Sequence, residues 1–102
     1  MNAPAPVHPG RILLTEVLEP LGISQYALAK AAGLPLSRVN AIVHGRRAIT
    51  ADTGLRLSRA LGTCDMFWIN MQARYDADVA FQAIASDLEK ITPIAKGAAT
   101  PA

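Results

Sequence analysis

Residues 25–44 carry the pattern that limits the possible folds of this chain most strongly. The apolar positions of this window are Leu28, Ala32, Leu34, Val39 and Ile42. Their spacing predicts two short helices that pack at a steep angle. Gly33 lies between the helices, where the turn needs a positive φ, and Ala29 is small where the helices come closest. The window therefore has the pattern of a helix-turn-helix.

The rest of the chain also has helical spacing of its apolar residues, with no run of the strict alternation that is typical of a strand. Pro20 and Gly22 are expected to end the first helix, and Ser24 and Thr50 offer side-chain caps for later ones. The predicted helices cover about residues 9–21, 25–32, 35–44, 51–61, 64–75 and 76–89. The fold class is all-α, a helix-turn-helix bundle of five helices plus a C-terminal helix.

Length and composition predict one domain. The chain has 102 residues, of which 51% are hydrophobic and 18% charged, so it can bury one core and is not disordered throughout. We expect the domain at residues 8–92, with dimerisation helices at its C-terminal end. Disordered tails are expected at 1–7 and 93–102, which are rich in Pro, Ala and other small residues.

The compartment and the cofactors can also be predicted. The chain has no apolar run as long as a membrane span, and its first residues lack the basic and apolar regions of a signal peptide. We therefore expect a cytoplasmic protein with no membrane partner. Cys64, His8 and His44 do not have zinc-ligand spacing, and no metal ion or cofactor is expected.

The charges are unevenly distributed. The formal net charge is only +2, yet residues 20–51 contain no acidic residue and four cations: Lys30, Arg38, Arg46 and Arg47. A local basic zone on a nearly neutral chain is typical of a protein that meets a polyanion with one face, although a solvated basic surface would look the same.

The outward face of the third helix supplies the candidate DNA-binding residues. Because Val39, Ile42 and Val43 point inward, the opposite face has the size and polarity to enter a major groove. Arg46 and Arg47 in the next loop, and Gln25 at the start of the second helix, are candidates for phosphate contacts. The complete candidate set is Gln25, Ser37, Arg38, Asn40, Ala41, His44, Arg46 and Arg47.

Several candidates have a purely structural alternative. Ser37 lies in the first turn of its helix and could cap backbone donors there. His44 precedes Gly45 and could act as a favourable charge at a helix C-terminus. Arg38 and Asn40 could be ordinary surface side chains.

Several sequence blocks resemble the Xre/lambda-repressor-like helix-turn-helix proteins, and within them the HigA-type (VapI-like) antitoxins, over about residues 8–80. These blocks are His8-Pro9-Gly10, Glu19-Pro20-Leu21-Gly22-Ile23-Ser24-Gln25, Arg38-Val39-Asn40-Ala41-Ile42-Val43-His44-Gly45-Arg46-Arg47, Arg59-Ala60-Leu61-Gly62-Thr63 and Phe67-Trp68-Ile69-Asn70-Met71-Gln72. Gly54 departs from the pattern, because the family usually has alanine there, and this glycine weakens its helix by roughly 0.5–1 kcal/mol.

The resemblance implies a function. It implies a homodimer that binds a palindromic operator of double-stranded DNA in its own promoter. It also implies that the protein neutralises a small HigB/RelE-like toxin that cleaves mRNA. On this reading Ser37, Arg38 and Asn40 lie on the recognition face, and Arg46 and Arg47 lie in the loop behind it.

Two other functions remain to be compared with this one. A stand-alone Xre-type repressor without a toxin partner would need the same helix-turn-helix. An enzyme is disfavoured, since there is no Gly-rich phosphate loop and no Ser/His/Asp pattern. Dimerisation is a separate hypothesis, which rests on two apolar stripes that a small domain has difficulty covering by itself. They are the aromatic stripe Phe67, Trp68, Met71 and Tyr75 and the stripe Phe81, Ile84 and Leu88.

Overall fold

The computed structural model describes residues 5–95, which form five helices and, within that range, no strand. α1 is one continuous helix made of the segments Pro9–Ile12, Leu13–Leu18 and Glu19–Leu21. The others are α2 (Gln25–Ala32), α3 (Leu36–Val43), α4 (Ala51–Leu61) and α5 (Phe67–Glu89). The all-α fold class is confirmed. Of the expected tails, residues 1–4 and 96–102 lie outside the described residues, and residues 5–7 and 93–95 lie outside the helices.

The first helix ends at Leu21, as the sequence predicts, although it continues through Pro20. The segment Leu13–Leu18 is π-helical, and the Glu19 N–H donates to the Leu14 carbonyl oxygen rather than to the carbonyl four residues before it. This wider turn accommodates Pro20, which has no N–H to donate and whose ring would crowd a regular α-helical turn. The helix ends at Gly22, one of the two residues expected to end it, which has a φ of +66°.

The helix boundary predicted near Asp76 is wrong, because α5 continues through it. The carboxylates of Asp76 and Asp78 do not cap a new helix. They accept from side chains four residues earlier, at 2.9 Å from Gln72 Nε2 and 3.2 Å from Arg74 Nε, and such pairs stabilise a continuous helix. The only non-helical backbone inside α5 is at Ile84, with φ −120° and ψ 19°.

The core lies between α1, the helix-turn-helix, α4 and the first turns of α5. Trp68 is its largest side chain and is almost completely buried. The other buried hydrophobic residues are Leu13, Leu18, Leu28, Ala29, Ala32, Leu34, Val39, Ile42, Val43, Ile49 and Leu57. The C-terminal half of α5 extends past this core, and its apolar stripe is exposed, with Phe81 at 60%.

Gly54 has a packing role that its position in the sequence did not indicate. It is buried on α4, and an added Cβ there would lie 2.7 Å from Ile69 Cγ1 and 3.3 Å from the Ile69 backbone N. The glycine therefore permits a close approach of α4 to α5, which offsets the propensity that it removes from its own helix.

His8 is the cap of α1 and touches two other parts of the fold. Its Nδ1 accepts from the Gly10 N–H at 2.9 Å, and its ring meets Tyr75 of α5 edge-on at 5.1 Å. Burial lowers the pKa of His8 below the usual histidine value, although Asp76 acts in the opposite direction. A protonated Nδ1 could not accept the Gly10 hydrogen bond, so the folded state favours the neutral ring.

The lowered pKa predicts a pH dependence of stability. The unfolded chain binds a proton at His8 more readily, so the free energy of unfolding should fall as the pH drops below the usual histidine value of 6.5. Urea unfolding between pH 5 and pH 8 measures this effect. A His8→Asn variant keeps a capping side chain that does not titrate, and its stability should vary less over this interval. Equal pH slopes for the two proteins would contradict the prediction.

Candidate nucleic-acid interface

The helix-turn-helix is held in shape by the local signals that its sequence contains. Ser24 Oγ accepts from the Ala27 N–H at 3.0 Å at the start of α2. Gly33, with a φ of +68°, ends that helix, and the Leu34 N–H donates to the Ala29 carbonyl oxygen at 2.9 Å. Arg56 of α4 adds a longer-range contact, since its Nη1 lies 3.4 Å from the carbonyl oxygens of Ala32 and Gly33. The turn is therefore tied to the neighbouring helix as well as to its own ends.

α3 presents the candidate residues away from the core. Its inner side is buried through Val39, Ile42 and Val43. On the other side, Ser37 and His44 are exposed, while Arg38, Asn40 and Ala41 are half-buried. The expected division of α3 into an inner and an outer face is thus what the structure has.

A chain of hydrogen bonds joins three of the candidates across three elements. Asn40 Nδ2 of α3 donates to Gln25 Oε1 of α2 at 3.2 Å, and Arg46 Nη2 of the following loop donates to Asn40 Oδ1 at 3.3 Å. The first bond uses one N–H of the Asn40 amide, and the second uses one lone pair of its oxygen. One N–H and one acceptor lone pair of this amide are therefore still available for another partner.

The basic residues around α3 have no acidic partners. Within residues 5–95, no carboxylate lies within 4.0 Å of the charged groups of Arg38, Arg46 or Arg47, because the ion pairs found there involve Arg56, Arg59 and Arg74. Arg38 Nε is buried and has no hydrogen-bond partner among the described residues. The positive charge of this face is thus not neutralised by the protein.

The structural alternatives have different outcomes. The Ser37 hydroxyl makes no hydrogen bond to any of the residues described, so it does not cap a backbone donor there. His44 follows the last residue of α3, and its Nδ1 lies 2.8 Å from the Asn40 carbonyl oxygen, so the ring interacts with the helix C-terminus as the structural alternative expects.

One residue that supports the interface was not among the candidates. Gln72 of α5 is buried, and its Oε1 accepts from the Ile49 N–H at 2.8 Å, at the end of the loop that contains Arg46 and Arg47. The two residues are 23 positions apart, a pairing that local periodicity does not reveal. The only sequence signal was the position of Gln72 inside the Phe-Trp-x-Asn-x-Gln block.

Comparisons with known proteins agree with this architecture. The pattern that defines the helix-turn-helix family matches residues 14–69. Virulence-associated protein I of Dichelobacter nodosus is 51% identical over 76 residues, which are 74% of this chain and 70% of that protein. Antitoxin HigA-1 of Vibrio cholerae is 39% identical over 71 residues, which are 70% of this chain and 67% of that protein.

A solved structure extends the similarity to the fold. The Pseudomonas aeruginosa antitoxin HigA, solved with the higBA promoter, superposes with a TM-score of 0.79 at 40% identity and covers 88% of this chain and 99% of that one. The chain belongs to the HigA-type helix-turn-helix family. The resemblance noted in the sequence blocks is therefore confirmed.

In this HigA-type chain, the family pattern ends at residue 69, near the start of α5. The exposed apolar half of α5 lies beyond it.

No helix in the part of the HigA-type chain that the structure describes is long and apolar enough to cross a membrane.

Proposed function

We propose that this chain is the antitoxin of a type II toxin–antitoxin module and a dimeric, sequence-specific repressor of its own promoter. The observation that carries the DNA-binding part is the hydrogen-bonded group Gln25–Asn40–Arg46 on the outer face of α3, next to cations without acidic partners. The promoter in the Pseudomonas aeruginosa HigA structure supports the same assignment. The protein acts in the cytoplasm, needs no cofactor and performs no catalytic step.

The candidate residues have two kinds of role in this proposal. Ser37, Arg38, Asn40 and Ala41 face base edges in the major groove. The free donor and acceptor of the Asn40 amide form the pair that the major-groove edge of adenine requires. Gln25, Arg46 and Arg47, together with His44 at the end of α3, contact the DNA backbone and set the register without reading sequence.

The dimer is proposed from the exposed stripe on α5. Phe81, Ile84 and Leu88 are all exposed in the single chain, and covering them against a second copy would remove a contiguous apolar surface from water. Residues 8–92 then act as one domain that both reads DNA and dimerises.

A footprint of the dimer on its promoter tests the DNA-binding proposal. With one recognition helix from each protomer, the protected half-sites should lie about one helical turn apart, roughly 34 Å. The probe is the duplex immediately upstream of the first gene of the transcription unit that encodes this chain. A single protected half-site, or a monomer mass by light scattering at micromolar concentration, would contradict the dimeric arrangement.

The loop that contains Arg46 and Arg47, here called the arginine loop, should contribute to the salt dependence of DNA binding. Replacing both Arg46 and Arg47 by alanine removes two phosphate contacts, so the slope of log K against log salt should become shallower by about 1.8 on any duplex. Binding to a random duplex of 30 base pairs, followed between 50 and 200 mM salt, measures the slope. Lys90→Ala is the matched control, since it removes one cation at the end of α5, away from the loop. If the slope of the double variant equals that of the wild type, the phosphate assignment is wrong.

The toxin partner is the second part of the proposal. The test is to express the tagged chain from its native genomic segment and to weigh what co-purifies. A small protein in a stoichiometric complex, with the mRNA-cleaving activity of a RelE-like toxin once it is separated, would support the antitoxin role. If the chain elutes alone while the neighbouring gene is expressed, it is a stand-alone repressor, and the antitoxin role is wrong.

A further inference from the structure

The loop between α3 and α4 is short and is anchored at both ends. At its start, the Gly45 N–H donates to the Ile42 carbonyl oxygen at 2.9 Å, and the Arg46 N–H donates to the Ala41 carbonyl oxygen at 2.8 Å. At its end, Ile49 is buried and Thr50 caps α4. Arg46, Arg47 and Ala48 lie between the Ile42 and Ala41 carbonyl contacts at the start and Ile49 at the end, and all three are exposed.

The anchor at the end of the loop depends on one side chain from a distant helix. The Ile49 N–H lies in the interior, and its partner is Gln72 Oε1, at 2.8 Å. Gln72 is 6% exposed, so a water molecule has little access to this position. Without that oxygen the Ile49 N–H would be a buried donor with no partner, and the loop would have to move to satisfy it.

The direction of the Gln72 amide is itself determined by a second residue. A carboxamide can present either its oxygen or its NH₂ group to a neighbour. The Asp76 carboxylate accepts from Gln72 Nε2 at 2.9 Å, and a carboxylate cannot donate in return. The NH₂ group therefore points toward Asp76, which leaves the oxygen for Ile49.

We propose that Gln72 is a positioning residue for phosphate binding, because its amide, oriented by Asp76, holds the end of the loop so that Arg46 and Arg47 face the DNA backbone. The inference rests on the proposed DNA-binding function. It assigns a role in DNA binding to the first half of α5, in addition to the dimer contact proposed for the second half. Gln72 itself touches no DNA.

The experiment compares the effect of the two arginines in different backgrounds. In each background, the salt slope on a random duplex of 30 base pairs is measured with and without the double substitution of Arg46 and Arg47 by alanine. The backgrounds are the wild type, Gln72→Met, which removes the acceptor at similar size, and the double substitution Gln72→Glu with Asp76→Asn. The double substitution keeps an acceptor oxygen for Ile49 and gives the other carboxylate oxygen an amide donor in place of the Asp76 carboxylate. Asn70→Ala is the matched control, since it removes an exposed carboxamide from the same helix.

In the wild type and the Asn70→Ala background, removing the arginines should make the slope shallower by about 1.8. In Gln72→Met the change should fall below about half of that value, because misplaced arginines release fewer counterions. In the double substitution Gln72→Glu with Asp76→Asn it should recover. A merely destabilising substitution lowers the amount of active protein and leaves the slope change as it is in the wild type.

The outcomes separate this inference from the proposed function. If removal of the arginines does not change the slope in the wild type, the phosphate assignment in the proposed function fails. If removal of the arginines changes the slope in the wild type and changes it equally in Gln72→Met, only the positioning role is overturned. Should Gln72→Met fail to fold, as seen by circular dichroism, the double substitution Gln72→Glu with Asp76→Asn still tests the inference, because loss of the slope change in that variant would contradict a role for the acceptor oxygen.

Discussion

Replacing Gly10 by alanine is expected to lower the free energy of unfolding by about 3 kcal/mol or more, at the upper end of what overpacking costs. Gly10 is buried near the start of α1, and an added Cβ would overlap the carbonyl group of Ile42 in α3. This backbone group cannot rotate away as a side chain could. The Ile42 oxygen also accepts from the Gly45 N–H, so its displacement would disturb the start of the arginine loop. Urea unfolding followed by circular dichroism measures the loss.

Gly22→Ala is the matched control for this substitution. No heavy atom lies within 4 Å of a Cβ added at Gly22, so its cost is limited to the positive φ, about 1–2 kcal/mol. The difference between the two variants isolates the contact between α1 and α3. If Gly10→Ala loses no more stability than Gly22→Ala, the close packing of α1 against α3 is not present in solution.

Replacing Arg38 by alanine is expected to reduce discrimination between the operator and other DNA by about 1–3 kcal/mol, the value of one bidentate contact to a guanine. Arg38 is half-buried on the outer face of α3, its Nε has no hydrogen-bond partner among the described residues, and no carboxylate there neutralises it. A planar guanidinium that has no partner within residues 5–95 is suited to such a contact. Competition between the upstream duplex and a random duplex measures the discrimination.

The control for Arg38 is Arg47→Ala, which should weaken binding to both duplexes by a similar factor and leave their ratio nearly unchanged. If Arg38→Ala behaves in the same way as this control, then Arg38 contacts phosphate or solvent and does not read a base.

The helix ends that depend on local chemistry could be predicted from the sequence. Ser24 and Thr50 cap α2 and α4 with their side chains, and Gly33 and Gly62 end the same helices with a positive φ. These signals act within a few residues, so no knowledge of the tertiary structure is needed to recognise them.

The passage of α1 through Pro20 and the continuity of α5 through Asp76, where a boundary was wrongly predicted, occur where the same residue types can act in another way. Pro20 normally ends a helix, but the π-helical segment before it removes the conflict. Asp76 and Asp78 have the composition of a helix start, yet their carboxylates pair with residues one turn earlier on a helix that is already formed. Both outcomes depend on hydrogen bonds that the order of residues does not specify.

The candidate site could be predicted as a face but not as a network. The periodicity of α3 separates Asn40 from Val39 and Ile42 without reference to other elements. The bond from Asn40 to Gln25 spans 15 residues, and it requires the crossing of α2 and α3 to be known. The bond from Ile49 to Gln72 requires the placement of α5 as well. Long-range polar contacts of this kind are decided by packing.

Competition binding with the wild-type chain tests the central claim most directly. At 0.15 M salt, the duplex immediately upstream of the first gene of the transcription unit that encodes this chain competes with a random duplex of the same length. A sequence-reading helix-turn-helix dimer should prefer the upstream duplex by about a thousandfold or more. Equal affinity for the two duplexes would contradict the account, because the outer face of α3 would then bind DNA only through its charge.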